Sequence, residues 1–300
     1  MRASSILKLT IVPTLVLAAC GDSKASDTTV AVKQKITIGS TTDPMSELVA
    51  EIYGQSLEKA EFRVARKKPF ATSAELMTAL SKGDVELTGF TTQGLIDVLA
   101  APGTNPTIPN TTADQAAAID KSLPGNLKIS APSTTEDKDV VYCSTTFATT
   151  NGIKTLSDLG AKPGLATLAA PDGFDTSTPL GGAGLKDTYS IEFKAVVPTP
   201  IDKVADAVTA GTADCGVGRA ADPTIGAVTY TILQDDKTLV PNDVILPVMT
   251  DTFGDDVVAA VDQISARLTP DSLRALMSRL KVDGATPEIV ANEFTGNAGT

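Results

Sequence analysis

The 300-residue chain carries 25 basic and 36 acidic residues, and neither histidine nor tryptophan. Its acidic balance argues against nucleic acid and anionic lipid as partners. The missing histidine removes every His-based triad or general base, and with no Cys-x-x-Cys spacing no metal site is expected. A carboxylate pair or a serine beside a lysine would remain for catalysis, and no motif marks either.

At the start, Met1, Arg2 and Lys8 supply positive charge and Ile11 to Leu17 a short apolar run, too short to span a membrane. The run closes on Leu17-Ala18-Ala19-Cys20-Gly21, which resembles the lipobox of bacterial lipoproteins. That resemblance implies a signal peptide over 1–19, removed before Cys20, with lipid on Cys20 and two or three acyl chains giving lasting attachment. The alternative is an ordinary cleaved signal with Cys20 incidental. Loss of Arg2 and Lys8 would leave 23 basic against 36 acidic residues, a net charge of −13. Residues 20–35 are small, polar and weakly patterned, as in a flexible tether.

From Ile36 the pattern alternates strand and helix. ITIGS is a β-branched run, and over 42–58 Met45, Leu48, Val49, Ile52, Tyr53 and Leu57 form a helical stripe. FRVA (62–65) reads as a strand, Thr72-Ser73-Ala74-Glu75 as a capping box, and Gly83 as that helix's stop. Val85 to Leu87 reads as a strand entering a Thr-rich turn over 88–93. The second half repeats this design: strands at 140–144, 165–170, 191–197 and 213–217, helices from Thr155 and Ile201, and Gly211 as a stop. Gly181-Gly182-Ala183-Gly184 lacks a following Lys-Ser/Thr and reads as a loop, not a phosphate cradle, so no cofactor is expected. Helices close the chain, with Thr269-Pro270 and Thr286-Pro287 as cap and first-turn proline. Pro241 to Met249 reads as an extended crossing back to the first half.

The fold class expected is α/β: two lobes, each a mostly parallel sheet with helices on both faces and a ligand cleft between them. Lobe one is 36–132 plus 236–300 and therefore discontinuous; lobe two is 133–235. Cys143 and Cys215 both sit in strand-like runs, where they are either a disulfide or two small buried side chains.

ITIGS, AEIYGQSLEK, ELMTALSKGDVEL, IKTLSDL, LAAPDGF, GGAGLKDTYSIEF, ADCGVGRAADPTI, TILQDDKTLVPNDVILPV and ARLTPDSLRAL, in that order, resemble the substrate-binding components of glycine betaine, choline and related quaternary-amine ABC importers. The resemblance implies a type II periplasmic-binding-protein fold and, as partners, a small-molecule solute with permease and ATPase subunits. In such proteins two lobes close over the ligand. The family's cleft tyrosine is replaced here by Thr91, its aromatic-Ser-Thr-Asp turn by Arg219-Ala220-Ala221-Asp222, and an arginine by a residue near Thr178.

The candidate ligand-binding residues are Thr41, Thr42, Asp43, Phe90, Thr91, Thr92, Phe174, Arg219 and Asp222, with Ser40, Gln93 and Asp172 in the same loops. Thr41 and Thr42 are ligand contacts or helix caps. Phe90 is a core side chain or an aromatic lid. Arg219 meets a ligand carboxylate or a salt-bridge partner such as Asp222. Tyr142 packs by default. The reading is a monomeric, membrane-anchored extracytoplasmic binder of a small polar or quaternary-amine solute, hydroxylated or zwitterionic, and no enzyme. A ligand-sensing or scaffold lipoprotein without transport is the alternative.

Overall fold

The computed structural model describes residues 33–296, except 102, 105, 177, 178, 227 and 228. The signal peptide and tether expected from the sequence, as far as residue 32 and including Cys20, and Thr178 lie outside the described residues. No helix among those described is long and apolar enough to cross a membrane.

The chain builds two five-stranded sheets of the same design. In the first, β1 (Lys35–Ile38), β2 (Arg63–Arg66), β3 (Leu87–Thr91) and β4 (Leu127–Ile129) join β10 (Ile245–Thr250) in the order β2-β1-β3-β10-β4. The second holds β5 (Asp139–Ser144), β6 (Thr167–Ala170), β7 (Ala195–Pro198), β8 (Cys215–Arg219) and β9 (Tyr230–Ile232) in the order β7-β6-β8-β5-β9. In each sheet the first three positions are parallel and the fourth strand is antiparallel to both its neighbours. That fourth strand is where the chain has just crossed over: β5 enters the second sheet and β10 returns to the first.

Helices cover both faces because each presents one apolar stripe. In the first lobe, α1 (Pro44–Lys59), α9 (Asp255–Ser265), α10 (Pro270–Lys281) and α11 (Pro287–Gly296) pack on one face. The other face takes α2 (Ser73–Ser81), α3 (Thr92–Leu99) and α4 (Thr112–Ser122). In the second lobe, α5 (Thr145–Asn151), α6 (Leu156–Gly160) and α7 (Gly182–Tyr189) lie over one core and α8 (Val204–Thr209) over the other. Thr269 and Ser272 form a reciprocal capping box on α10. At α2, Thr72 accepts from the Glu75 N–H, but Glu75 reaches back to the N–H of Ala71 instead of Thr72.

Two expectations are corrected here. Residues 88–93 are not a turn: β3 runs on to Thr91 because β10 pairs with it along its whole length, and α3 starts at Thr92. Gly181 to Gly184 is not a loop either, since α7 begins at Gly182. A Cβ on Gly184 would stand 2.0 Å from the Pro179 carbonyl oxygen, so that glycine allows the helix to pack against the preceding turn.

The crossings run side by side. Ser133 N–H donates to the Ile245 carbonyl at 2.8 Å and Asp137 N–H to the Asp243 carbonyl at 2.9 Å. The Ile245 N–H in turn donates to the hydroxyls of Ser133 and Thr135. Into this junction β8 sends Arg219. Its Nη2 lies 3.2 Å from both Asp137 Oδ2 and Asp243 Oδ2 and also donates to the Asp137 carbonyl, while Nη1 lies 3.4 Å from Asp139. Asp243 is 5% exposed and its Oδ1 accepts from the Gln93 N–H at the start of α3. Arg219 thus connects a strand of lobe two to a helix of lobe one through one carboxylate. Burial works against its charge, but the three carboxylates outweigh this and hold the guanidinium pKa above its ordinary value.

Cys143 faces Cys215 across the β5–β8 ladder, and the two sulfurs are bonded, closing a separation of 72 residues. Loss of such a cross-link costs about 2–5 kcal/mol. The double variant Cys143→Ala/Cys215→Ala should unfold at correspondingly lower urea, and neither wild-type residue should react with a thiol reagent in unreduced, denatured protein. Two reactive thiols there would mean that the bond does not form.

Burial pushes the Asp243 carboxyl above the ordinary range, although the Gln93 N–H and Arg219 oppose it. Removing Arg219 leaves that burial less opposed. Breaking a buried pair costs about 3–5 kcal/mol, which we discount to about 1–2 kcal/mol because Arg219 is 43% exposed and solvent screens it. A carboxyl with a raised folded pKa adds stability that is fully present below its unfolded pKa and lost as pH rises through the folded one. Urea melts of Arg219→Met should therefore show the deficit near neutral pH and a smaller one near pH 4 or so; an equal deficit at both would exclude this ion pair as its source.

Candidate functional site

Strands β1 and β3 run parallel, and beyond the end of each the chain enters the start of a helix. After β1, Asp43 caps α1: its Oδ1 accepts from the N–H groups of Met45 and Ser46, both at 3.0 Å. Thr41 N–H donates to Ser46 Oγ at 3.0 Å, and Thr41 Oγ1 accepts from Asp43 N–H at 3.4 Å. After β3, Thr91 caps α3, its Oγ1 accepting from Gly94 N–H at 3.2 Å. Proline at N1 of α1 and small polar residues at both caps make these turns local consequences of the sequence.

Between these ends lies a cavity of about 280 Å³. Thr41, Asp43, Ser46, Ser73, Phe90 and Thr91 line it, together with Arg219 and Asp243 from the junction. It brings together five of the nine candidate ligand-binding residues. Its close walls depend on Gly89, where a Cβ would come within 2.4 Å of the Val49 side chain on α1. Phe90 is a core side chain, 6% exposed and in one cluster with Leu76, Leu95 and Leu246, and it also lines the cavity.

The other four candidates lie elsewhere. Thr42 is exposed beside the cavity. Thr92 is fully buried, with its hydroxyl 3.4 Å from Asp243 Oδ1 and accepting from Val244 N–H. Phe174 is buried in the core of lobe two, in a short 3-10 turn. Asp222 accepts from the N–H and hydroxyl of Thr224, two residues on, and is not Arg219's partner. Gln93 holds the crossing by donating to the Pro241 carbonyl at 3.0 Å. Tyr142 is 1% exposed and meets Tyr230 edge-on, with centroids 5.2 Å apart, so it packs as expected.

Ser46, Ser73 and Asp243 are wall residues that the sequence reading did not single out. Ser46 and Ser73 were legible only as helix-start residues, and Asp243 only as a residue preceding a strand. A larger groove of about 1030 Å³ runs between α1 and α11 on the outer side of lobe one. Its Arg66 is already paired with Glu51 and Glu58, at 2.8 and 2.7 Å. We place the site in the smaller cavity because it lies at the carboxyl ends of the strands, where ligands of such sheets bind.

Residues 34–297 match the family described as the substrate binding domain of the ABC-type glycine betaine transport system. Among solved structures, the chain is similar to a glycine betaine/carnitine/choline ABC transporter protein, with a TM-score of 0.75 and 18% identity over 88% of this chain and 97% of that one. It is also similar to apo YehZ from Escherichia coli, with a TM-score of 0.74 and 17% identity over 88% and 99%. Lactococcal OpuAC, closed on glycine betaine, gives a TM-score of 0.51 and 13% identity over 88% and 96%. No curated protein sequence matches significantly. These structures share the two-lobed fold, and the family match covers nearly every described residue. The chain belongs to the family of substrate-binding domains of ABC-type glycine betaine transport systems, the solute-binding components of ABC importers.

Proposed function

We propose that this protein captures a small polar or quaternary-amine solute of the osmoprotectant class and delivers it to an ABC permease. It acts outside the cytoplasm as a monomer, held to the membrane by lipid on Cys20. The observation that carries the solute site is the cavity at the ends of β1 and β3, which has Arg219 of the other lobe in its wall. In this reading residues 1–19 are the signal peptide and 20–35 the tether. Lobe one, 36–132 with 236–300, and lobe two, 133–235, close about the junction of the two crossings. Thr41, Thr42, Asp43, Phe90, Thr91 and Arg219 act from the cavity or its rim, with Thr92 supporting Asp243 beneath it. Phe174 and Asp222 would contribute only through a rearrangement of lobe two. The solute leaves unchanged, and no residue is given a catalytic role.

The full-length protein, purified from membranes in detergent, should bind one solute per chain in calorimetric titrations spanning betaines, choline, amino acids and sugars, and should return it chemically intact. Failure of every solute to bind, or recovery of an altered one, would overturn the assignment. Lipid attachment predicts that the wild type partitions into the detergent phase and Cys20→Ser into the aqueous phase; equal partitioning would refute the anchor.

A further inference from the structure

Resting on the solute-binding reading above, we infer that the cavity selects a neutral polyhydroxylated solute, a polyol or sugar-like molecule, over a betaine or choline. Three sets of observations on the wall residues lead to this class.

The first concerns hydroxyl groups. Thr41, Ser46, Ser73 and Thr91 all line the cavity. The oxygens of Thr41, Ser46 and Thr91 each accept a hydrogen bond from a backbone N–H. Among the described residues none of the four hydroxyls donates its proton to a protein acceptor. A hydroxyl whose oxygen is engaged in this way keeps its O–H for a ligand oxygen. Asp43 supplies the complement: its Oδ1 takes both capping bonds, and its Oδ2 accepts none among the described residues. The wall therefore offers several donors beside a carboxylate acceptor, a pattern matched by neighbouring hydroxyls on one molecule.

The second concerns charge. A ligand carboxylate needs a free cation, and Arg219, the cation in this wall, is already shared among Asp137, Asp139 and Asp243. A carboxylate entering here would meet Asp43 and Asp243 with that guanidinium already engaged.

The third concerns aromatic faces, which hold a quaternary ammonium in place of hydrogen bonds. Phe90 is the one aromatic among the wall residues. There is no tryptophan, and the four tyrosines are placed elsewhere. Tyr53 is buried and bonded to Ser265, Tyr189 is buried and bonded to Asp235, and Tyr142 meets Tyr230 edge-on. The Tyr230 hydroxyl reaches Thr209 and the Ala205 carbonyl. The volume of about 280 Å³ is at the small end for ligand sites and suits one six-carbon polyol.

The test is isothermal titration of the full-length protein in detergent with myo-inositol, sorbitol, glycine betaine, choline and proline, each at or below millimolar concentration so that bulk osmolyte effects do not enter. We expect saturable one-to-one binding of a polyol, with betaine and choline at least about tenfold weaker. Ser46→Ala should weaken polyol binding by about three- to tenfold, the effect of one hydrogen bond. Thr78→Ala, at an exposed residue of α2 outside the cavity, should leave it unchanged, and a melt on each variant checks folding. Tighter binding of betaine, choline or proline than of either polyol would overturn the inference and leave the solute-binding reading intact. Polyol binding indifferent to Ser46→Ala would overturn this placement of the ligand, and silence across the panel would count against both.

Discussion

Arg219 brings one positive charge to a place where three carboxylates converge, and the junction of the two lobes is built on that convergence. Asp137 and Asp243 sit on the two crossings, Asp139 opens β5, and their side chains range from 5% to 53% exposed. Carboxylates gathered in this way, two of them largely buried, would repel one another without the guanidinium. With it, the Asp137 Oδ1 is free to accept from the Ala221 N–H, and the Asp243 Oδ1 to hold the first turn of α3. The turn after β8, both crossings and the start of α3 are thereby tied to one another. An acidic chain has concentrated part of its excess charge at this junction and offset it there in part with a single guanidinium.

The same junction explains why the two sheets share one design. Each lends the other its fourth strand position: the chain leaves lobe one to become β5, and leaves lobe two to become β10. The crossings pair with each other through Ser133, Thr135 and Ile245, so a relative rotation of the lobes can be absorbed over a few residues between well-packed cores. The cavity lies on the lobe-one side of that axis. Residues of β3 and Arg219 of the other lobe both line it, so its wall draws on both lobes.

Much of this arrangement was legible in the sequence wherever the signal was local. The stripe from Met45 to Leu57, Gly83 as a stop and the Thr269-Pro270 cap all mark elements whose determinants lie within a few residues. Residues 88–93 were not legible in this way. LTGFT becomes a strand only because β10, more than 150 positions later, pairs along it, and TTQGLIDVL then continues as a helix. Of the cavity's wall residues, Thr41, Asp43 and Thr91 were legible because helix caps that follow strands are local motifs. The partner of Arg219 was not recognisable. Asp222 is near in sequence, whereas the actual partners come from the two crossings, and nothing short of the fold brings them together. Phe174 was read as a cleft residue from its place after a strand, yet the second core needed an aromatic there.

In the proposed function, a solute seated against Thr41, Asp43 and Thr91 draws the lobes together about the Arg219 junction. Pulsed electron paramagnetic resonance between spin labels at Ala71→Cys in lobe one and Asp172→Cys in lobe two, with and without saturating myo-inositol, tests it most directly. Closure about the junction should give a shorter and narrower distance distribution when the solute is bound, and saturable binding with an unchanged distribution would contradict it.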